Sequence, residues 1–266
     1  MIALIDYDVI CYSAGFAVQH TYYHIGGKTF EKKSEAQAYQ DFIEAYDEEI
    51  VPEVVAEPES HALQIAKQLI KRIVKESGAD DYEGYLTGKG NYRESIATIK
   101  PYKGNRTASK PVHYESIKTY LQERHNGEVI EGQEADDKMG IVQSQNPDRT
   151  TICTIDKDLR MIPGRHYNWQ TSEVFFVDEW EGIKWFYTQL LTGDTVDNIQ
   201  GVPRIGAKKA EKILADCKTV EEMECAVGLA YACSSYEDPE AAMIENGRLL
   251  WIRRREGEFW EPLCYA

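Results

Sequence analysis

Two short runs, MIALID at 1–6 and TTICTID at 150–156, carry apolar or β-branched residues at nearly every position, and each ends in an aspartate. Runs of this kind read as strands buried on both faces, and GYLT near residue 85 reads as another. All three end in polar or glycine-containing turns. Between them Ala62, Ile65, Ala66, Leu69, Ile70 and Ile73 follow helical spacing, as do Ala135, Met139 and Val142. Strands alternating with helices predict an α/β domain with a mostly parallel sheet. In such sheets sites gather at the carboxyl ends of the strands, where Asp6 and Asp156 stand.

Beyond about residue 182 the pattern turns helical: KWFYTQLL, a turn through TGDTVDNIQGVPRIG, then AKKAEKIL. Gly201 and Gly206, around Val202 to Ile205, predict a hairpin between helices. The tail LLWIRRREGEFW reads as a strand pair or a strand returning to the first domain, with Arg253 to Arg255 on a solvated edge. A length of 266 residues fits one large domain with a smaller one attached. The expected divisions are 1–182, 183–248 and a tail at 249–266.

A formal charge of −15 argues against a nucleic-acid partner, but the charge is unevenly spread. From Glu31 to Glu59 ten acids face two lysines, a net of −8; from Lys89 to Lys118 seven bases face two acids, a net of +5. Nucleic acid would meet the second segment and avoid the first. The acidic segment reads as a solvated helical face or as a device that keeps DNA off one side. The first twenty residues lack a basic leader and include Asp6 and Asp8, so no signal peptide is expected, and no apolar run is long enough for a membrane span. Six cysteines without a CxxC pair fit reduced thiols in a cytoplasmic chain.

Four acidic groups stand out: Asp6 and Asp8; Glu134, Asp136 and Asp137 in EADD; Asp156 and Asp158 in DKD; Asp194 and Asp197 in GDTVD. Each has a structural reading on its own, as helix cap or turn. Asp6 differs, because an acid inside a buried strand costs several kcal/mol unless it is paired, protonated or metal-bound. Acids brought to one sheet edge would also repel without a cation between them. Hard oxygen ligands favour Mg²⁺ or Mn²⁺, and the lack of His or Cys ligand spacing weakens zinc. Asp6 and Asp8 share a face if the strand continues, whereas Glu134 and Asp137, and again Asp194 and Asp197, share the i, i+3 spacing of a helix face. Two ions could then be held for an in-line phosphoryl displacement. In YRESIATIKPYKGNR, Arg93, Lys103 and Arg106 suit a phosphate, although a solvated basic loop fits equally in isolation. GVPRIGAKKA offers helix-start N–H groups followed by Lys208 and Lys209, suited to a DNA backbone.

The ordered series LIDYD, NYRESI, PYKGNR, EADDKMG, TIDKDL and GDTVDNIQGVPRIGAKKA resembles the flap endonuclease and 5′→3′ exonuclease family, most closely its short phage members. The resemblance is weak only between about residues 20 and 60. It implies a PIN-like (Rossmann-like) nuclease domain followed by a helix-three-turn-helix DNA-binding domain. It further implies that Asp6, Glu134, Asp136 and Asp156 surround one metal ion, that Asp158, Asp194 and Asp197 serve a second, and that Asp137 lies near the pair. Lys103 and Arg106 would sit over the scissile phosphate and Arg93 would meet the 5′ strand. Gly201, Val202, Arg204 and Gly206 would grip duplex DNA, around a K⁺ ion held by backbone carbonyls. Implied substrates are DNA with a 5′ end or flap, or an RNA–DNA hybrid, in replication or recombination, with 5′-phosphate products. A phage origin, and so a host cytoplasm, follows from the resemblance alone. One departure matters: relatives place an aspartate before the arginine-bearing turn, where this chain has Thr87 and Gly88. Either Asp8 or a water fills that role, or the first site is weak. Two alternatives therefore stay open, a DNA-structure-binding protein with an impaired metal site and a PIN-type ribonuclease.

Overall fold

The computed structural model describes residues 1–263; Cys264 and the last two residues of the expected tail lie outside the described residues. In chain order the elements are β1 (Ile2–Asp6), α1 (Tyr7–Ala17), β2 (Gln19–Ile25), β3 (Lys28–Phe30), α2 (Lys33–Phe42), β4 (Val51–Ala56), α3 (Glu59–Ser77), β5 (Asp81–Thr87), α4 (Tyr92–Ile96), α5 (Tyr114–His125) and β6 (Glu128–Ile130). They continue with α6 (Ala135–Gln145), β7 (Thr150–Cys153), a short 3₁₀ turn (Asp158–Met161), β8 (Gly164–Asn168), β9 (Glu173–Val177), α7 (Glu179–Thr192), α8 (Ala207–Leu214), α9 (Val220–Ala232) and α10 (Pro239–Leu250).

The main sheet has the order β6-β5-β1-β7-β8-β9, parallel except for the last strand. The central strand β1 is flanked by β5 and β7, and its side chains divide between two cores. Ala3 and Ile5 join α1, α3 and α5, while Leu4 joins α6, α7 and the C-terminal helices. Burial on both faces is why MIALID lacks polar alternation, and it places helices on both sides of the sheet, the expected PIN-like architecture. Tyr7 lies flat against Gly84 of β5, where a Cβ would stand 2.0 Å from the ring.

Helices α7 to α10 pack on the sheet through the same cluster that holds Leu4, Met139 and Ile152, with Phe186, Tyr187, Leu190 and Leu191 at the junction. α7 starts at the Asp178 cap, whose carboxylate takes the Glu181 N–H while Glu181 returns the bond to the Asp178 N–H. Residues 251–262 run back over the first sheet without strand pairing, unlike the strand read from LLWIRRREGEFW. Three successive N–H groups go to side chains instead: Ile252 to Met161 Sδ, Arg253 to Asp137 and Arg254 to Glu258. The solvated arginine edge holds for the exposed Arg255 and is corrected for Arg253 and Arg254. Arg253 is buried against Tyr92 and Phe259, and Arg254 bonds the Met161 carbonyl and Glu179.

The acidic stretch between α1 and α3 forms a separate antiparallel sheet, β3-β2-β4, covered on one side by α2. Its acids are largely exposed. Among the described residues no helix is long and apolar enough to cross a membrane.

Candidate functional site

The strand β1 stops at Asp6 because Asp6 caps α1, its Oδ1 accepting the Val9 N–H at 3.1 Å. Asp8 therefore lies in the first turn of a helix and not on a continued strand, which corrects the shared strand face expected for the two. It reaches the end of β5 all the same: Asp8 Oδ2 accepts the Thr87 N–H at 2.9 Å. β7 ends at Cys153, three residues short of Asp156. The turn is made by Thr154, which donates to Asp6 Oδ2 and accepts the Asp156 N–H, both at 3.0 Å.

Asp194 and Asp197 lie in a tight turn and not on a helix face. Asp194 and Ile199 exchange backbone hydrogen bonds of 2.9 and 2.7 Å, and Asp194 Oδ1 accepts the Val196 and Asp197 N–H groups. The PYKGNR turn is fastened to it. Lys103, held at φ +55°, donates its N–H to the Asp197 carbonyl, Asn105 bonds the Thr195 carbonyl, and Asn198 bonds that of Pro101. This turn-on-turn contact brings Lys103 to Glu134, with Asp197 3.7 Å away, and Arg106 to Asp197 at 2.8 Å.

Eight of the nine acids singled out in the sequence line one cleft of two lobes. The first lobe is walled by Asp158, Asp194 and Asp197, the second by Asp6 and Asp8, and both share Glu134, Asp136, Asp156, Tyr102, Lys103 and Arg106. Burial, then Asp8 and Asp156, push the Asp6 carboxyl up to about 7. Burial, then Asp156 and Asp194, push Asp158 up to about 8. Asp136 is raised well above the ordinary carboxylate range by burial and by Asp6 and Asp156. Glu134 goes the other way, because Lys103 and Arg93 outweigh its burial.

Asp137 departs from the expected metal set. It is fully buried, and its carboxylate binds Arg93 through bonds of 2.6 and 2.9 Å, which hold it below the usual range despite burial. Arg93 is only 2% exposed in the wall of the first lobe, and its guanidinium is taken up by Asp137 and the carbonyls of Leu249 and Trp251. Helix rotation explains the split: Asp136 and Asp137 are neighbours in EADD, and one step of about 100° turns the second from the cleft into the core. Sequence reasoning missed Tyr102, whose hydroxyl donates to Asp197 Oδ2 at 2.7 Å and lies 3.0 Å from Glu134, and Lys157, whose Nζ lies between Asp158 and Asp194. Both sit inside motifs already singled out, beside Lys103 and within DKD.

The donor set fits a divalent cation. It consists of carboxylate oxygens, and after burial the repulsion from neighbouring carboxylates helps to raise the pKa of Asp6, Asp136, Asp156 and Asp158. Among the described residues no three carboxylate, imidazole or thiol side chains are drawn together tightly enough to form a finished metal site. Lys103, Arg106 and Lys157 occupy the intervening space and neutralise Glu134, Asp197, Asp158 and Asp194 in pairs.

At the hairpin, Gly201 and Val202 are buried and closely packed. A Cβ on Gly201 would stand 2.2 Å from the Gly193 nitrogen, and Val202 is buried. The Gln200, Gly201 and Arg204 carbonyls already accept bonds from Tyr236, Asn246 and Lys209. Arg204, Gly206, Lys208 and Lys209 are exposed around the start of α8, which has no side-chain cap.

No family model matches the chain. It is 32% identical over 148 residues to an exodeoxyribonuclease of Enterobacteria phage T3, a match covering 52% of this chain and 48% of that protein. The aligned region thus spans about half the length of this curated relative. Among solved structures it is similar to a phage T5 protein co-crystallised with metal ions, at TM-score 0.57 and 16% identity over 94% of this chain and 89% of that one. It is also similar to a phage T5 flap endonuclease complexed with DNA and metal ions, at TM-score 0.53 and 17% identity over 71% and 80%. The structural likeness is one of fold. Together these relatives bear out the resemblance read from the motifs.

Proposed function

We propose that this chain, as kin of the flap endonuclease and 5′→3′ exonuclease family, hydrolyses DNA phosphodiesters at or near a 5′ end with divalent metal ions in its carboxylate cleft. The observation that carries this reading is the convergence of eight acids from four segments on one cleft that also presents Lys103 and Arg106. Asp6, Glu134, Asp136 and Asp156 would hold one Mg²⁺ or Mn²⁺, with Asp8 beside them, and Asp158, Asp194 and Asp197 a second. Ions bound there supply Lewis acidity toward the phosphoryl group and make water a stronger nucleophile at neutral pH.

The chain's own residues do the rest. Lys103 and Arg106 exchange their carboxylate partners for substrate phosphate, Arg106 by its fork and Lys103 as a point charge. The Tyr102 hydroxyl keeps Glu134 and Asp197 in register across the cleft. The open N–H groups at the start of α8, with Arg204, Lys208 and Lys209, hold the DNA backbone without reading bases, which gives residues 183–248 their role as the gripping unit. The exposed acids of α2 and the loops that flank it repel DNA from their own face. A K⁺ ion at the hairpin is not part of this reading, since its carbonyls are largely engaged. The setting is DNA replication or recombination.

The test is incubation of 5′-labelled duplex and flap DNA with Mg²⁺, with and without EDTA. Cleavage that releases 5′-phosphate products and stops with EDTA is expected. Binding without metal-dependent cleavage would replace this reading with a structure-binding protein, which the unassembled metal site and the missing acid at Thr87 and Gly88 favour. Preference for RNA over DNA would indicate a PIN-type ribonuclease.

A further inference from the structure

Three segments far apart in sequence meet at one buried carboxylate. Asp137 Oδ2 accepts Arg93 Nη1 at 2.6 Å and the Glu134 N–H at 3.1 Å, and Oδ1 accepts Arg93 Nη2 at 2.9 Å and the Arg253 N–H at 3.1 Å. Arg93 extends the connection. Its Nε donates to the Leu249 carbonyl at 2.8 Å and its Nη2 to that of Trp251 at 2.7 Å, while Nη1 stands 3.9 Å from Glu134 Oε2. Arg253 closes it from the other side, donating from Nη1 to Gln133 Oε1 at 2.8 Å with its guanidinium over the Tyr92 ring. An ion pair so deeply buried persists only when its donors and acceptors are largely satisfied; here both carboxylate oxygens accept two bonds each and four of the five guanidinium N–H groups have partners.

We infer that the Arg93–Asp137 pair, completed by Arg253, is a strut by which the end of α10 and the C-terminal tail fix the turn 133–137 that carries Glu134 and Asp136 into the cleft. The direct link is the Glu134 N–H held by Asp137: the backbone of one cleft acid is set by the buried side chain of its neighbour, and that side chain is set by the tail. Arg93 and Asp137 are positioning residues. Asp137 acts on the cleft from behind it, and Arg93 forms part of the wall of the first lobe. The effect on metal binding rests on the nuclease reading; the effect on the turn does not.

The strut makes a prediction opposite to that for a metal ligand. If Asp137 were a ligand, Asp137→Asn would weaken metal binding and Arg93→Gln would leave it intact or strengthen it. A strut requires both variants, and Arg253→Gln, to weaken Mn²⁺ binding by roughly tenfold, the low end of the loss seen when a partner that orients a metal ligand is removed. The double variant Arg93→Gln/Asp137→Asn should then be no worse than the poorer single one. Titration calorimetry with Mn²⁺ on the whole chain measures this. Hydrogen exchange on the metal-free protein reads the turn directly, with faster exchange at the Glu134 and Arg253 amides expected in every variant. Arg93→Lys, which keeps the charge but loses the fork, should fall between wild type and Arg93→Gln.

Loss of Mn²⁺ binding in Asp137→Asn but not in Arg93→Gln overturns the inference, as do unchanged exchange at 133–137 and additive losses. Should a variant fail to fold, Arg93→Met/Asp137→Leu removes both charges together and retains the volume. Wild-type Mn²⁺ affinity in that background would likewise overturn it. A wild-type chain that binds no Mn²⁺ refutes the nuclease reading, and the exchange data still decide the strut.

Discussion

Lys157 Nζ lies 3.2 Å from Asp194 Oδ2, a buried oxygen of a carboxylate whose pKa, despite burial, the lysine helps to lower. The same ammonium stands 3.9 Å from Asp158, so one lysine supplies in the cleft the charge that a metal ion would bring. Replacing it should therefore separate two effects. Lys157→Gln is expected to lower the melting temperature of the metal-free protein and to tighten Mn²⁺ binding by roughly three- to tenfold, because a competing like charge is gone. Calorimetry checks this; weaker Mn²⁺ binding would show that Lys157 assists the ion and does not stand in for it.

The raised acids set the pH response. Asp6, near 7, and Asp158, near 8, owe their shifts first to burial and then to neighbouring aspartates. In an unfolded chain both titrate near 3.8, so the folded state binds protons more tightly, and its stability falls as pH rises through 7 and 8. His166, lowered by burial to about 4 from 6.5, acts in the opposite sense but only below its ordinary value. The metal-free melting temperature is expected to decline from about pH 6.5 to about 8 and to level off above, and Mg²⁺ to flatten the slope. Calorimetry across that range with EDTA gives the answer. A metal-free profile that is level or rising there contradicts the repulsion described.

Asp8 stands where the chain lacks the usual aspartate of β5, with its carboxylate on the Thr87 N–H at 2.9 Å. An asparagine can accept that same bond, so Asp8→Asn should keep the fold. Mg²⁺-dependent cleavage is expected to drop by at least about tenfold. Unchanged cleavage by the folded variant would dismiss Asp8 as a substitute.

Lys208 and Lys209 are exposed at the uncapped start of α8. Changing each to Gln should weaken DNA binding about equally for all sequences and reduce the slope of log affinity against log salt by about 1 per lost phosphate contact. Anisotropy titrations in EDTA at several salt concentrations measure it. A slope identical to wild type would place the DNA elsewhere.

What the sequence revealed follows physical lines. β1 and β7 were legible because strands buried on both faces allow no polar alternation, and α8 was legible from Gly206 through Leu214 because its stripe is bounded by a glycine. The acids in the cleft stood out because each ends a strand or opens a turn where a buried charge is costly. β4 did not stand out, since VPEVVA is exposed along most of its length and contains Pro52 and Glu53, which mask the strand signal. Arg93 was misread because its partners, Asp137 and the carbonyls of Leu249 and Trp251, lie 44 to 158 residues away. Val202 sits in a hairpin motif that suggests contact with DNA, yet its side chain faces the core. In both residues the type was informative and the direction was not.

Anomalous diffraction from crystals soaked in Mn²⁺ tests the central claim most directly, by counting ions and the carboxylates around them. Two ions are predicted in the cleft, one against Asp6, Glu134, Asp136 and Asp156 and one against Asp158, Asp194 and Asp197, with Asp137 still on Arg93 and Lys157 displaced. A cleft that stays empty at saturating Mn²⁺, with Lys103 and Lys157 still paired to its acids, would contradict the account.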